Sequence, residues 1–123
     1  MGKFVIKEAK NGPMFSLKAG NGEIIGSSEV YSSMAACKNG IESVRKNAPI
    51  ANLEDQTIAG YENQSNPKFE IYKDKRGEFR FRLKARNGEI ILTGEGYASK
   101  DGCKNGIESI RKNAVDSEII EEI

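Results

Sequence analysis

No histidine occurs among the 123 residues, cysteine appears only twice, and the net charge is only +1. Without histidine, neither a Ser-His-Asp nor a Cys-His catalytic system can be assembled. The side chain best matched to proton transfer near neutral pH is also missing. Zinc sites draw mainly on Cys and His, and two cysteines do not make one. Neither phosphate-binding glycine signature, G-x-G-x-x-G or G-x-x-x-x-G-K-[ST], is present. No apolar run approaches the length that spans a bilayer. The opening residues, MGKFVIK, turn charged before a signal-peptide core could form. These absences lead us to expect a cytoplasmic protein with reduced thiols, no cofactor, no metal, no membrane association and no enzymatic activity.

What is present fits one soluble domain. The composition is 37% apolar and 30% charged, ordinary for a globular chain. At this size roughly two-thirds of the unfolded chain's surface can be buried, so no staple is needed. The small net charge conceals an asymmetry. Residues 1–65 are neutral, residues 66–114 carry a surplus of five positive charges, and residues 115–123 carry four acids. A local basic patch is therefore possible even though the whole chain offers no electrostatic steering.

The dominant feature is an internal repeat. Asn21–Ile25 and Asn87–Ile91 both read NGEII, and Cys37–Ala48 (CKNGIESVRKNA) returns as Cys103–Ala114 (CKNGIESIRKNA). At an offset of 66, residues 21–48 match residues 87–114 at 19 of 28 positions. The fold problem thus reduces to one unit and its pairing. A self-complementary two-fold interface in a shorter ancestor would survive fusion of its two copies. We divide the chain into a first repeat (1–58), a linker (59–67) and a second repeat (68–123), together one domain.

Each repeat reads β-β-β-α-β. In the second, Phe69 to Lys73 alternates and Asp74–Gly77 turns. Phe79 to Arg86 then alternates strictly, with Phe79, Phe81, Leu83 and Ala85 on one face and Arg80, Arg82, Lys84 and Arg86 on the other. Asn87-Gly88 predicts a two-residue type I′ hairpin turn, which needs positive φ at both positions. Glu89–Thr93 follows as a third strand. The first repeat matches with Phe4–Glu8, Met14–Ala19, Asn21-Gly22 and Glu23–Ser27. Ser33 and Ser99 are suitable helix N-caps. Cys37, Ile41, Val44 and Ala48, like Cys103, Ile107, Ile110 and Ala114, space out one apolar helix stripe. Gly40 and Gly106 fall inside these helices, at a cost of about 1 kcal/mol relative to Ala. Close approach of helix to sheet is the expected reason. Ile50–Thr57 and Val115–Ile123 supply the fourth strands. The fold class is α+β, with the two units sharing one mainly antiparallel sheet because either alone leaves an open edge.

The sharpest candidate site is the cationic strand face. Arg80, Arg82, Lys84 and Arg86 stand about 7 Å apart from one to the next, near the phosphate spacing of a nucleic-acid strand. Tyr72, on the neighbouring strand, should share that face and offer a stacking surface. The competing explanation is a solvated face whose cations discourage aggregation or pair with Glu70, Glu78 or the acidic tail. The first repeat has Ser16, Lys18 and Gly20 at the matching positions, so only one unit has the stripe. Cys37 and Cys103 lie near helix N-termini, which favour a reactive thiolate, but also on the apolar stripe, which favours burial. Tyr31 and Tyr97 are expected to pack on the first helical turn.

NGEII followed by a Tyr-led approach to the helix and then NGIES(V/I)RKNA resembles the YegP-like family of small uncharacterised bacterial proteins, across nearly the whole chain. The resemblance implies two tandem units in a pseudo-two-fold single sheet with both helices on one face. It also implies that the last strand of each unit is exchanged onto the other. It brings no assigned reaction. The expected function is that of a non-enzymatic binding module, acting as a monomer with an internal pseudo-dimer and most readily on a protein partner. The alternative is weak, sequence-tolerant nucleic-acid or polyanion binding through Tyr72, Arg80, Arg82, Lys84 and Arg86, and a remote one is small-molecule or thiol-based activity.

Overall fold

A computed structural model of the chain describes residues 2–122. In chain order the elements are β1 (Lys3–Ala9), β2 (Gly12–Lys18), β3 (Ile24–Ser27), α1 (Met34–Asn47), β4 (Asn52–Asp55), β5 (Lys68–Lys73), β6 (Phe79–Lys84), β7 (Ile90–Thr93), α2 (Lys100–Ala114) and β8 (Glu118–Glu122). All eight strands form one sheet in the order β4-β5-β6-β7-β3-β2-β1-β8. The two β-meanders meet at β3–β7 in the middle. The exchange expected of the fourth strands is seen at both ends. β4 leaves the first unit and pairs parallel with β5, and β8 returns across the molecule to pair parallel with β1. The other pairings are antiparallel.

Alternation decides which side is buried. Phe4, Ile6, Phe15 and Leu17, with Phe69, Ile71, Phe81 and Leu83, point to one face and join Cys37, Ile41, Val44, Cys103, Ile107 and Ile110 in a single core. Both helices therefore cover the same face. Ser33 and Ser99 cap them, each accepting a backbone N–H, from Ala36 at 3.1 Å and Gly102 at 3.0 Å. Paired arginines fasten the exchanged segments. Arg45 on α1 donates to the Ser117 carbonyl at 2.5 Å, and Arg111 on α2 donates to the Ala48 carbonyl at 2.9 Å. Each guanidinium also lies over a core ring, Phe4 and Phe69 respectively, so each arginine packs as well as donates.

One local expectation needs correction and another is extended. The hairpin turns are not type I′. Asn21 and Asn87 keep negative φ; only Gly22 and Gly88 are left-handed, at 86° and 85°. Gly22 N–H donates to the Ala19 carbonyl and Ala19 N–H to the Glu23 carbonyl, both at 2.9 Å, with a register shift after Leu17. This is a turn followed by a glycine bulge, in which one positive φ suffices. The Asn side chains serve instead as acceptors for the N–H of Glu23 and Glu89, at 3.0 Å. Tyr97 lies beside Gly102 in the first turn of α2, as expected, but both tyrosines reach further. They stack on Phe15 and Phe81, and their hydroxyls reach into the helix middles at Gly40 and Gly106.

Candidate site on the helix-free face of the sheet

Residues that alternate with the core set line the uncovered face. Across the sheet, one row runs Glu54, Glu70, Arg82, Thr93, Ser27, Ser16, Val5, Ile120. The row is polar in the second unit's half and apolar at the far end of the first. The units share their core face and differ on this one.

In the second unit's half the cations are engaged. Lys68 Nζ is 2.7 Å from Glu54 Oε1 and 3.3 Å from Glu70 Oε2. Lys84 Nζ is also 3.3 Å from Glu70 Oε2, and Arg82 Nε donates to Glu70 Oε1 at 2.5 Å. Glu54 is 1% exposed and Glu70 2%, so each depends on these partners to stay ionised. Burial alone pushes the Glu54 carboxyl upward. Hydrogen bonds from Lys68, Gln56 and the Gln64 backbone outweigh it and hold the group at about 2. Glu70 is likewise held below the usual carboxylate range, its burial outweighed by Arg82 and Lys84. Arg80 Nε pairs with Asp74 Oδ2 at 2.8 Å, and Asp74 also accepts the N–H groups of Arg76 and Glu78.

Four of the five residues singled out in the sequence are thus brought together. Tyr72 faces Arg80 across β5–β6, and the Arg82 guanidinium lies 4.6 Å from the Tyr72 ring centroid. Arg86 is separated from them. β6 ends at Lys84 with a register shift between Leu83 and Lys84, and a bulge breaks the alternation on which the stripe depended. Arg86 instead borders a groove of about 540 Å³ that includes Ser43, Lys46 and Asn47 of α1. The acidic tail does not cover the basic strand. It forms β8 at the opposite edge of the sheet, where Glu122 pairs with Lys7 at 3.8 Å and Glu121 with Lys38 at 3.0 Å. Ile123 lies outside the described residues.

The first unit's half holds a depression of about 270 Å³, bordered by Lys3, Lys18 and Glu122 with Val5, Ala19 and Ile120. Sequence reasoning missed it. Lys3 and Lys68 are the same residue in the same place, as are Lys18 and Lys84, but Val5 and Ile120 stand where the second unit has Glu70 and Glu54. The Val5/Glu70 difference was legible. Ile120 could be set beside Val5 only once the strand exchange was known.

Elsewhere the chemistry is muted. Both thiols are buried. Burial pushes Cys37 up, and it pushes Cys103 up to about 11 with help from the Asp55 charge. Among the described residues, no group of three or more Cys, Asp or Glu side chains is placed to hold a metal, and no helix is long and apolar enough to cross a membrane.

The profile of a family described as a domain of unknown function (DUF1508) matches twice, over residues 9–55 and 74–121. The chain is 45% identical over 120 residues to the UPF0339 protein YegP of Yersinia pestis, covering 97% of this chain and 94% of that one. A UPF0339 protein of Treponema denticola is 67% identical over 54 residues, which cover 44% of this chain but 93% of that relative, so it corresponds to a single unit. The solution NMR structure of UPF0339 protein SO3888 from Shewanella oneidensis superposes with a TM-score of 0.79 at 33% identity, covering 98% of this chain and 90% of that one. That of yegP from E. coli, described as a protein of unknown function, gives the same score and identity.

Proposed function

The chain belongs to the DUF1508 family, and from that premise we propose that it is a non-enzymatic, cytoplasmic binding module that receives its partner on the helix-free face of the sheet. One observation carries this reading. Two units with matching cores present different outer faces, one a self-satisfied ion network and the other a depression in which Val5 and Ile120 replace the two buried carboxylates, bordered by Lys3, Lys18 and Glu122. The rest of the chemistry supports binding over catalysis. Asp55, Glu54, Glu70 and Asp74 are all held below the ordinary carboxylate range and engaged by cations or hydrogen bonds. None is poised to give up or take a proton near neutral pH. The thiols are buried and shifted upward, opposite to the shift that activates a nucleophile.

Polyanion binding through Arg80, Arg82 and Lys84 is the weaker reading. To reach a phosphate, Arg82 and Lys84 must leave Glu70, and Arg80 must leave Asp74. An amide NMR titration tests both readings, using an isotope-labelled full chain, a single-stranded oligonucleotide, an acidic peptide and small aliphatic acids at 50 and 200 mM salt. We expect saturable shifts confined to the outer face of β1, β2 and β8. Shifts confined to the outer helix surfaces, or none with any probe, would overturn the proposal. Oligonucleotide binding that weakens more than about tenfold with salt, and is lost on Arg80→Ala with Arg82→Ala, would replace it with the polyanion reading.

A further inference from the structure

We infer that the depression on the first unit is a site for a small aliphatic carboxylate; this inference rests on the binding-module reading above. The second unit supplies the template. There Lys68 and Lys84, cross-strand partners on β5 and β6, hold one carboxylate oxygen between them: Glu70 Oε2 is 3.3 Å from each Nζ. In the first unit Lys3 and Lys18 are cross-strand partners on β1 and β2 in the same register. The lysine pair is retained, but both carboxylates that serve it in the second unit are replaced, Glu70 by Val5 and Glu54 by Ile120.

Among the described residues, no carboxylate lies within 4.0 Å of either ammonium, since neither Lys3 nor Lys18 appears in an ion pair. Two acids stand nearby. Glu118 is opposite Lys3 on β8, and Glu122, at the rim, is drawn to Lys7. With Glu122 engaged by Lys7 and neither Lys3 nor Lys18 in an ion pair among the described residues, the two ammonium groups can still accept an added anion. A ligand carboxylate between Lys3 and Lys18 would make the charge-assisted contacts that Glu70 makes in the other unit. Val5 is buried at the floor, so the ligand's short chain would lie mainly against the half-buried Ala19 and Ile120, removing a small apolar area from water. The volume of about 270 Å³ suits a small molecule, not a helix or a strand.

The test is an amide NMR titration of the full labelled chain with sodium hexanoate, with 1-hexanol and inorganic phosphate as separate arms. Hexanoate should give saturable shifts at residues 3–5, 18–22 and 119–122, with little response to hexanol or phosphate. Lys3→Ala with Lys18→Ala, both at the surface, should weaken hexanoate about tenfold or more. Val5→Glu restores the second unit's internal carboxylate between the two lysines and should abolish hexanoate binding in the folded variant. Equal shifts with hexanol would reduce the site to an apolar hollow, and equal shifts with phosphate to a plain anion site; either overturns the inference. So does undiminished hexanoate binding by the double lysine variant, the informative one should Val5→Glu fail to fold. If hexanoate is silent but another probe shifts this face, only the inference falls. If no probe shifts it, the binding-module reading falls too.

Discussion

Gly40 and Gly106 sit in helix interiors where alanine is the better helix former by about 1 kcal/mol. What overrides propensity is space. A Cβ on Gly40 would lie 2.3 Å from the Tyr31 hydroxyl oxygen and 3.2 Å from the Phe15 ring, and one on Gly106 would lie 2.3 Å from the Tyr97 hydroxyl oxygen. Tyr31 cannot readily withdraw, because its ring is stacked on Phe15 with centroids 6.1 Å apart. We therefore expect Gly40→Ala to lower stability by about 1–3 kcal/mol, the range for overpacking a filled site, despite its gain in helix propensity. Thermal unfolding of the variant checks this; an unchanged or raised Tm would mean that the Tyr31 ring shifts without cost. The helices run unbroken through both glycines, and the close approach read from the sequence is real. The nearest partner is a tyrosine carried on the loop before each helix, joined at Gly40 by the strand residue Phe15, which no spacing rule reveals.

At the scale of the element, β4 is the most informative. It is four residues long, sits at the sheet edge and carries Glu54 facing Glu70 from the neighbouring strand. Two buried carboxylates side by side are tolerable because Lys68 bridges them. The segment after β4 adds further donors, with Gln64 N–H reaching Glu54 and the Asn52 amide reaching Ser65. The sign of the pH dependence follows. Glu54 lies at about 2 in the folded chain, against an ordinary value of 4.5. Its contribution to stability is therefore fully present above about pH 4.5 and is lost as pH falls toward 2. Glu54→Gln should be less stable at neutral pH and should show a shallower fall in Tm between pH 5 and pH 3. Parallel wild-type and variant slopes would show that other carboxylates govern acid unfolding. The tail strand β8 has Ile120 where β4 has Glu54, and the first unit gains no such pH sensitivity from that position.

For the whole molecule, each unit is completed by the other. β4 and β8 are both lent across the pseudo-two-fold, and Arg45 and Arg111 fix the crossings. A chain cut between Gly60 and Tyr61 should therefore yield two halves that stay together. Co-elution of fragments 1–60 and 61–123 as one species of native size, by size exclusion with light scattering, is the expected result. Two separately folded halves would contradict the exchange as the source of stability. The sequence by itself determined the duplication, the strand and helix types, the caps, the core face and the absence of histidine chemistry. These follow from local periodicity and residue identity, which no partner alters. Only the tertiary structure decided what the outer face means. Whether Arg82 and Lys84 are available or engaged depends on Glu70 from the adjoining strand, with Lys68 held by Glu54 from the other unit. Whether Lys3 and Lys18 lack such partners depends on Ile120 arriving by strand exchange from more than a hundred residues away along the chain. Charge pairing acts over a few ångströms in space, and sequence separation does not measure that distance.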